Sequence, residues 1–460
     1  MRMRKEKDSL GELTVPDDAL YGVHTCRSIE NFHMAGEKLP LELIYAIVQL
    51  KQACAAANAQ LGLLPHEKAV AIAAACGEVL SGKYNDQFPI DVFQAGSGTS
   101  SNMNVNEVLG NLAAEALGGK RGDRKTVHPN DDVNMGESTN NVFPSAIRVA
   151  AVELSGRLFQ TLEGLIASLD KKADEFSNVW KSGRTHLQDA VPMTLGQEFA
   201  AWANALRKAE KRIACACFDL HELGIGGNAI GTGVNTPAAF RGEIIKALNQ
   251  ATGQEYRAAT NGIEITQFLS DLGAFSGALK MLALDINKIV NDLRLLASGP
   301  NTGFGEILLP PVEPGSSIMP GKINPSICEA ANMACLQVVG NDAAVSMGCA
   351  AGQLELNTHM PLVGTNIVKS LRILTKVCDA LDKKCVRGIT AYEAVCRKYF
   401  ENSAGLPTIL NPVLGYDKVA ELVKESLKTG KTLAELVREK KLMPEKEFAA
   451  LLARSNGPTR

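Results

Sequence analysis

The chain has 460 residues, with 48 basic and 50 acidic side chains and a formal charge of −2. That balance offers no handle for nucleic acid or an anionic membrane surface, and no apolar run approaches the roughly 18 residues that a membrane span needs. Apolar residues make up 45% of the chain but aromatics only 5%, so the core must come from Ala, Leu, Val and Ile, which suits closely packed helices better than a β-sandwich.

In chain order, the opening MRMRKEKDSLGE is briefly basic and then acidic, with no apolar stretch behind it, and reads as neither signal nor transit peptide. Shorter helices with many Gly and Asn follow, up to about Pro129. Leu154, Leu158, Leu162, Leu165 and Leu169 then mark a long helix after Pro144. GQEFAAWANALRKAEKRIACACFDLHELG predicts another, ending near Gly224.

The clearest signal runs from about Ile263 to Ala297. Leu272, Phe275, Leu279, Leu282, Ile286, Ile289, Leu293 and Leu296 recur there at steps of three and four, the seam of a bundle. Ser298-Gly299-Pro300 stops it, and at 1.5 Å per residue the helix would be about 50 Å long. A fourth long helix is predicted over ICEAANMACLQVVGNDAAVSMGCAAGQLELN, whose Ala and Gly allow close backbone approach. Short amphipathic helices follow from about Cys396. The fold class is therefore mainly α, in three domains: residues 1–137 mixed but mainly helical, 138–395 a central bundle of long helices, and 396–460 a small helical C-terminal part. The eleven cysteines lie in apolar, helix-like contexts without a CxxC, and read as buried free thiols in a reducing cytoplasm.

Four polar, Gly-rich stretches interrupt the helices: QAGSGTSSNMNVNE (94–107), HPNDDVNMGESTNN (128–141), SGRTHLQDA (182–190) and PGSSIMPGKINP (314–325). They are rich in Ser, Thr and Asn, with few acids outside the second. Neutral donors plus a lysine suit a dicarboxylate ligand, although each stretch alone is also an ordinary cap or turn.

Together, and in this order, GSSIMPGKINP, SGTSSNMN, HPNDDVN and GRTHLQDAVPMTLGQE resemble the shared motifs of the fumarase/aspartase superfamily, over essentially the whole chain. The resemblance is nearest to class II fumarase, with aspartate ammonia-lyase next. It implies the three-domain fold of that family, no metal or organic cofactor, a small dicarboxylate substrate, and a cytoplasmic homotetramer whose active sites are shared between chains.

It also implies roles. Ser316 would be the general base, removing a proton next to a carboxylate. A hydroxyl is a weak base, so its oxyanion needs backbone N–H groups and cationic neighbours. Lys322 and Asn324 would hold the aci-carboxylate that forms, with Ser317 beside them. Ser97, Thr99, Ser138, Thr139, Asn140 and Thr185 would bind the substrate carboxylates. His186 would help protonate a departing hydroxyl through water, oriented by Glu329. His128 and Asp131 match a second, non-catalytic dicarboxylate site. The chain reads Glu137-Ser138-Thr139-Asn140-Asn141 where the family usually has Gln-Ser-Ser/Thr-Asn-Asp. One acid is gained and one lost, which suggests a compensated exchange.

Overall fold

The computed structural model describes residues 2–451 except 404, 445 and 449. The last residues of the expected C-terminal domain, 452–460, lie outside the described residues. The chain opens with strands β1 (Met3–Asp8) and β2 (Gly11–Pro16), then helices α1 (Val23–Asn31), α2 (Leu41–Gln60), α3 (His66–Leu80), α4 (Thr99–Ala116) and α5 (Thr139–Glu175). Strands β3 (Trp180–Thr185) and β4 (Gln188–Thr194) precede α6 (Leu195–Asp219), and β5 (Glu222–Leu223), α7 (Phe240–Thr252), β6 (Arg257–Ala258), α8 (Gly262–Gln267) and α9 (Ser270–Leu296) follow. The remainder is β7 (Ile307–Leu308), α10 (Ser326–Ala350), α11 (Met360–Lys384), β8 (Thr390–Ala391), α12 (Glu393–Asn402), α13 (Leu406–Leu414), α14 (Tyr416–Thr429) and α15 (Leu433–Glu439). The strands make four two-stranded sheets, so the fold is mainly α as expected. No described helix is long and apolar enough to cross a membrane.

Five helices of 25 residues or more dominate: α5, α6, α9, α10 and α11. Every residue of the predicted α9 seam, Leu272 through Leu296, is buried. The expected 263–297 helix is interrupted, however. Phe268 is extended (φ −104°, ψ 137°), and α8 ends there. The Thr266 carbonyl there accepts the Asn357 amide (3.4 Å), whereas the Leu269 carbonyl already takes the Gly273 amide (3.0 Å) as the first rung of α9. The helix expected after Pro144 begins earlier, at Thr139, with Pro144 in its second turn, where the ring costs the helix one backbone hydrogen bond. α6 ends at Asp219, five residues short of Gly224. α11 was not anticipated, although Val363, Ile367, Leu371, Leu374, Cys378 and Leu381 are all buried at helical spacing.

Two compact units divide the chain: residues 1–158, 212–281 and 337–374 in one, and 159–211, 282–336 and 375–460 in the other. In the first, α2 packs on α3 and α7, and α4 packs on α1 and α3. In the second, α12 to α15 share a core of Phe400, Leu406, Leu410, Leu422, Leu436 and Val437. The eleven cysteines are all unpaired, and eight of them are buried. The sulfurs of Cys328 and Cys385 lie 3.7 Å apart.

Candidate active site

In the first unit, α4 starts from a loop that tolerates no extra bulk. Ser97 lies in the left-handed region (φ 61°) and so does Gly98 (φ 84°). A Cβ on Gly98 would collide with the Phe143 ring, and one on Gly96 would lie 2.8 Å from Thr358 Cβ. The Ser97 amide donates to the Thr358 carbonyl (3.0 Å), and its hydroxyl lies 3.4 Å from Thr99 Oγ1. Thr99 is the first residue of α4 and lines a cavity of about 580 Å³ shared with His24, Arg27, Ser100, Arg124, His128 and Asn130.

His128 and Thr99 therefore line the same cavity. Its Nδ1 accepts the backbone N–H groups of Asn130 and Asp131 (3.2 and 3.1 Å), capping the π-helical turn Pro129–Val133. The capping reading of HPND thus occupies the Nδ1 edge of the imidazole. The Asp131 carboxylate is exposed, 3.4 Å from the same nitrogen.

The Ser138–Asn140 segment opens α5. The Ser138 amide donates to Asn141 Oδ1 (3.2 Å). Thr139 Oγ1 accepts from Asn102 Nδ2 of α4 (3.1 Å), and Asn140 Nδ2 donates to the Ala229 carbonyl (2.8 Å). Glu137, just ahead, pairs with Lys51 of α2 at 2.7 Å. Burial pushes the Glu137 carboxyl up from its ordinary range, and Lys51 pulls it back toward ionisation. The acid gained at Glu137 thus has its own counter-charge, independent of Asn141.

The second unit holds the rest. β3 and β4 pair antiparallel, and the two residues between them, His186 and Leu187, both have positive φ (56° and 58°). That is the backbone of a tight hairpin turn usually given to Asn-Gly, held here by side chains that L-residues disfavour by roughly 1–2 kcal/mol each. The hairpin is anchored below its tip. Arg184 makes a bidentate pair with Glu306 (2.7 and 3.1 Å) and lies over the Phe304 ring at 4.5 Å. Lys181 reaches Glu306 at 3.2 Å and Glu198 at 2.5 Å. Glu306 is 0% exposed. Thr185 and His186 are exposed at the hairpin end.

Residues 314–325 form an irregular loop closed by its own backbone. The Gly315 amide donates to the Lys322 carbonyl (3.0 Å), and Asn324 Nδ2 donates to the Gly315 carbonyl (2.6 Å). Within it, Ser316 Oγ accepts the amides of Ile318 and Met319 at 3.2 and 3.1 Å. Two N–H dipoles aimed at one oxygen favour its anionic form. Ser317 and Lys322 are exposed. Glu329, in the first turn of α10, lies 3.9 Å from Arg294, and among the described residues no hydrogen bond joins it to His186. Lys51, Asn134 and Glu306 are polar anchors beside these stretches that the motif reading did not single out. Among the described residues no three His, Cys, Asp or Glu side chains converge as metal ligands.

Comparison with known proteins bears on the family of the chain. A family profile described as "Lyase" matches residues 11–340, and one described as "Fumarase C C-terminus" matches residues 406–456. A class II fumarate hydratase of Chromobacterium violaceum is 47% identical over 94% of both chains. An aspartate ammonia-lyase of Corynebacterium glutamicum is 46% identical over 99% of this chain and 87% of its own. A crystal structure titled fumarate lyase:delta crystallin, from Brucella melitensis, superposes with a TM-score of 0.95 at 45% identity, covering 99% of this chain and all of its own. The fold and the ordered motifs define a lyase. The chain belongs to the fumarase/aspartase superfamily, whose members named here divide between fumarate hydratases and aspartate ammonia-lyases.

Proposed function

We propose that this lyase is a fumarate hydratase, interconverting fumarate and (S)-malate. The observation that carries the proton abstraction is Ser316, whose hydroxyl oxygen receives two backbone N–H groups in a loop that also bears Lys322 and Asn324. Water as leaving group is taken from the 47% identity to a class II fumarate hydratase. In the malate-to-fumarate direction, Ser316 as alkoxide takes the proton from the carbon next to a carboxylate. The electron pair passes into that carboxylate, giving the aci-carboxylate held by Lys322, Asn324 and Ser317. It then returns to form the double bond as hydroxide leaves, protonated through water by His186. Thr99, Ser97, Ser138, Thr139, Asn140 and Thr185 hold the carboxylates, and His128 with Asp131 forms the second dicarboxylate site. Neutral donors suit this task because they bind an anion that gains charge without adding a competing acid.

The halves of this constellation are joined, in this reading, by assembly into a homotetramer in which each site draws on several chains and Glu329 of one copy orients His186 of another. Support comes from α10, where Met333, Leu336, Gly340, Ala343 and Met347 form an exposed stripe at three- and four-residue spacing. A large apolar face on a soluble helix is a surface for a partner. We take the compartment to be a reducing cytoplasm, in keeping with eleven unpaired thiols.

A second reading, aspartate ammonia-lyase, shares the proton abstraction and differs in the leaving group. It is favoured by the 46% identity to enzymes so named. The deciding experiment follows fumarate absorbance from L-malate and from L-aspartate, with Ser316→Ala as control. Fumarate from malate alone, abolished in the control, is the expected result. Fumarate from aspartate replaces the hydratase by the ammonia-lyase, and activity surviving Ser316→Ala removes Ser316 as the base.

A further inference from the structure

Lys51 lies in the middle of α2 among Ile47, Val48, Leu50 and Cys54, all buried. Its side chain and that of Glu137 are both 0% exposed. The Lys51 ammonium donates to Glu137 Oε2 (2.7 Å) and to Asn134 Oδ1 (2.6 Å). That same Asn134 oxygen accepts the amides of Asn102 and Asn106 on α4 (3.2 and 3.1 Å). Asn134 Nδ2 in turn donates to the Glu137 carbonyl (3.0 Å), and Asn102 Nδ2 also reaches Thr139 Oγ1 (3.1 Å). One lysine thus ties α2, α4 and the turn that leads into α5.

Stability does not account for this arrangement. Two desolvated charges roughly offset their own attraction, and apolar pairs of similar volume often serve a core as well or better. Packed apolar groups, however, do not fix direction, whereas charge-assisted hydrogen bonds do. A buried polar hub with three donors on one oxygen selects a single backbone arrangement.

We propose that Lys51 and Glu137 are positioning residues for dicarboxylate binding, acting through Asn134 and Asn102 to set Ser138, Thr139 and Asn140 against the start of α4 at Thr99. The proposal rests on the reading of those four residues as carboxylate ligands. Neither Lys51 nor Glu137 touches substrate. They act on how well it is held, so their loss raises KM and spares the proton transfer at Ser316.

The test replaces the pair by apolar groups of similar size in the full chain, Lys51→Met with Glu137→Leu. The double variant is expected to keep the wild-type melting temperature within a few degrees and kcat within about threefold, while KM for the dicarboxylate rises about tenfold, the loss of roughly one directed hydrogen bond. Glu137→Gln, which keeps an acceptor for Lys51, is expected to hold KM within about threefold of wild type. Asn134→Ala, which cuts the relay but leaves the ion pair, is expected to raise KM like the double variant, and it decides the matter should the double variant not fold. An unchanged KM in Asn134→Ala or in the folded double variant overturns the proposal, as does a fall in melting temperature and kcat at constant KM. A wild type silent with fumarate, malate and aspartate overturns the parent reading and this proposal with it. An active wild type separates the two.

Discussion

His186 is held where an L-residue resists being held. Its positive φ and that of Leu187 persist because the strands below them are fixed, and the fixing runs through one buried carboxylate. Glu306 receives the Arg184 fork and the Lys181 ammonium, and its backbone carbonyl accepts the Tyr392 amide at 2.8 Å. Removing that charge leaves the half-buried Arg184 guanidinium without its carboxylate and Lys181 with Glu198 alone. Glu306→Gln is therefore expected to destabilise the fold by about 3 kcal/mol, read from the midpoint of urea unfolding. Nothing in the sequence pointed to Glu306, because it stands 122 residues from Arg184 in a Gly-rich stretch that reads as an ordinary turn. Lys51 was more legible. Leu43, Ile47, Lys51, Cys54 and Asn58 follow steps of three and four on the buried face of α2, and a lysine in such a seam signals a buried partner.

Elements were legible where a seam was long. The α9 periodicity gave the spine of the fold, since its buried residues repeat over the whole helix. It overran into α8 because periodicity carries no information about a bonding partner far along the chain, here the Asn357 amide on the Thr266 carbonyl. The four polar stretches were recognisable as motifs. Their geometry was not, since a left-handed Ser97 or a hairpin tip at His186 depends on packing that a sequence does not display. α1 illustrates the same limit. It has no side-chain cap of its own. Glu107, on α4, instead accepts the amides of Gly22, His24 and Thr25 and the Thr25 hydroxyl at 2.7–3.1 Å. A buried carboxylate on the N-terminus of a helix stabilises it by charge as well as by hydrogen bonds. Glu107→Ala is expected to cost about 2–3 kcal/mol and to strip hydrogen-exchange protection from Val23–Asn31 before the rest of the molecule.

At the scale of the whole molecule, the proposed sharing of sites between chains has a direct consequence for mixtures. Ser316→Ala and Thr99→Val variants, each inactive, are unfolded together and reassembled at equal concentration. A site that takes Ser316 from one chain and Thr99 from another is then intact in about a quarter of cases, so activity should return to about that fraction of wild type. A mixture that stays inactive would show that one chain supplies both residues.

The exposed α10 stripe from Met333 to Met347 also makes time part of the design. In the proposed assembly, a lone newly made chain carries that apolar surface in water until it meets another copy of itself. Maturation is then a concentration-dependent event in competition with aggregation. The yield of working enzyme is set by how fast copies find each other as much as by how well each one folds.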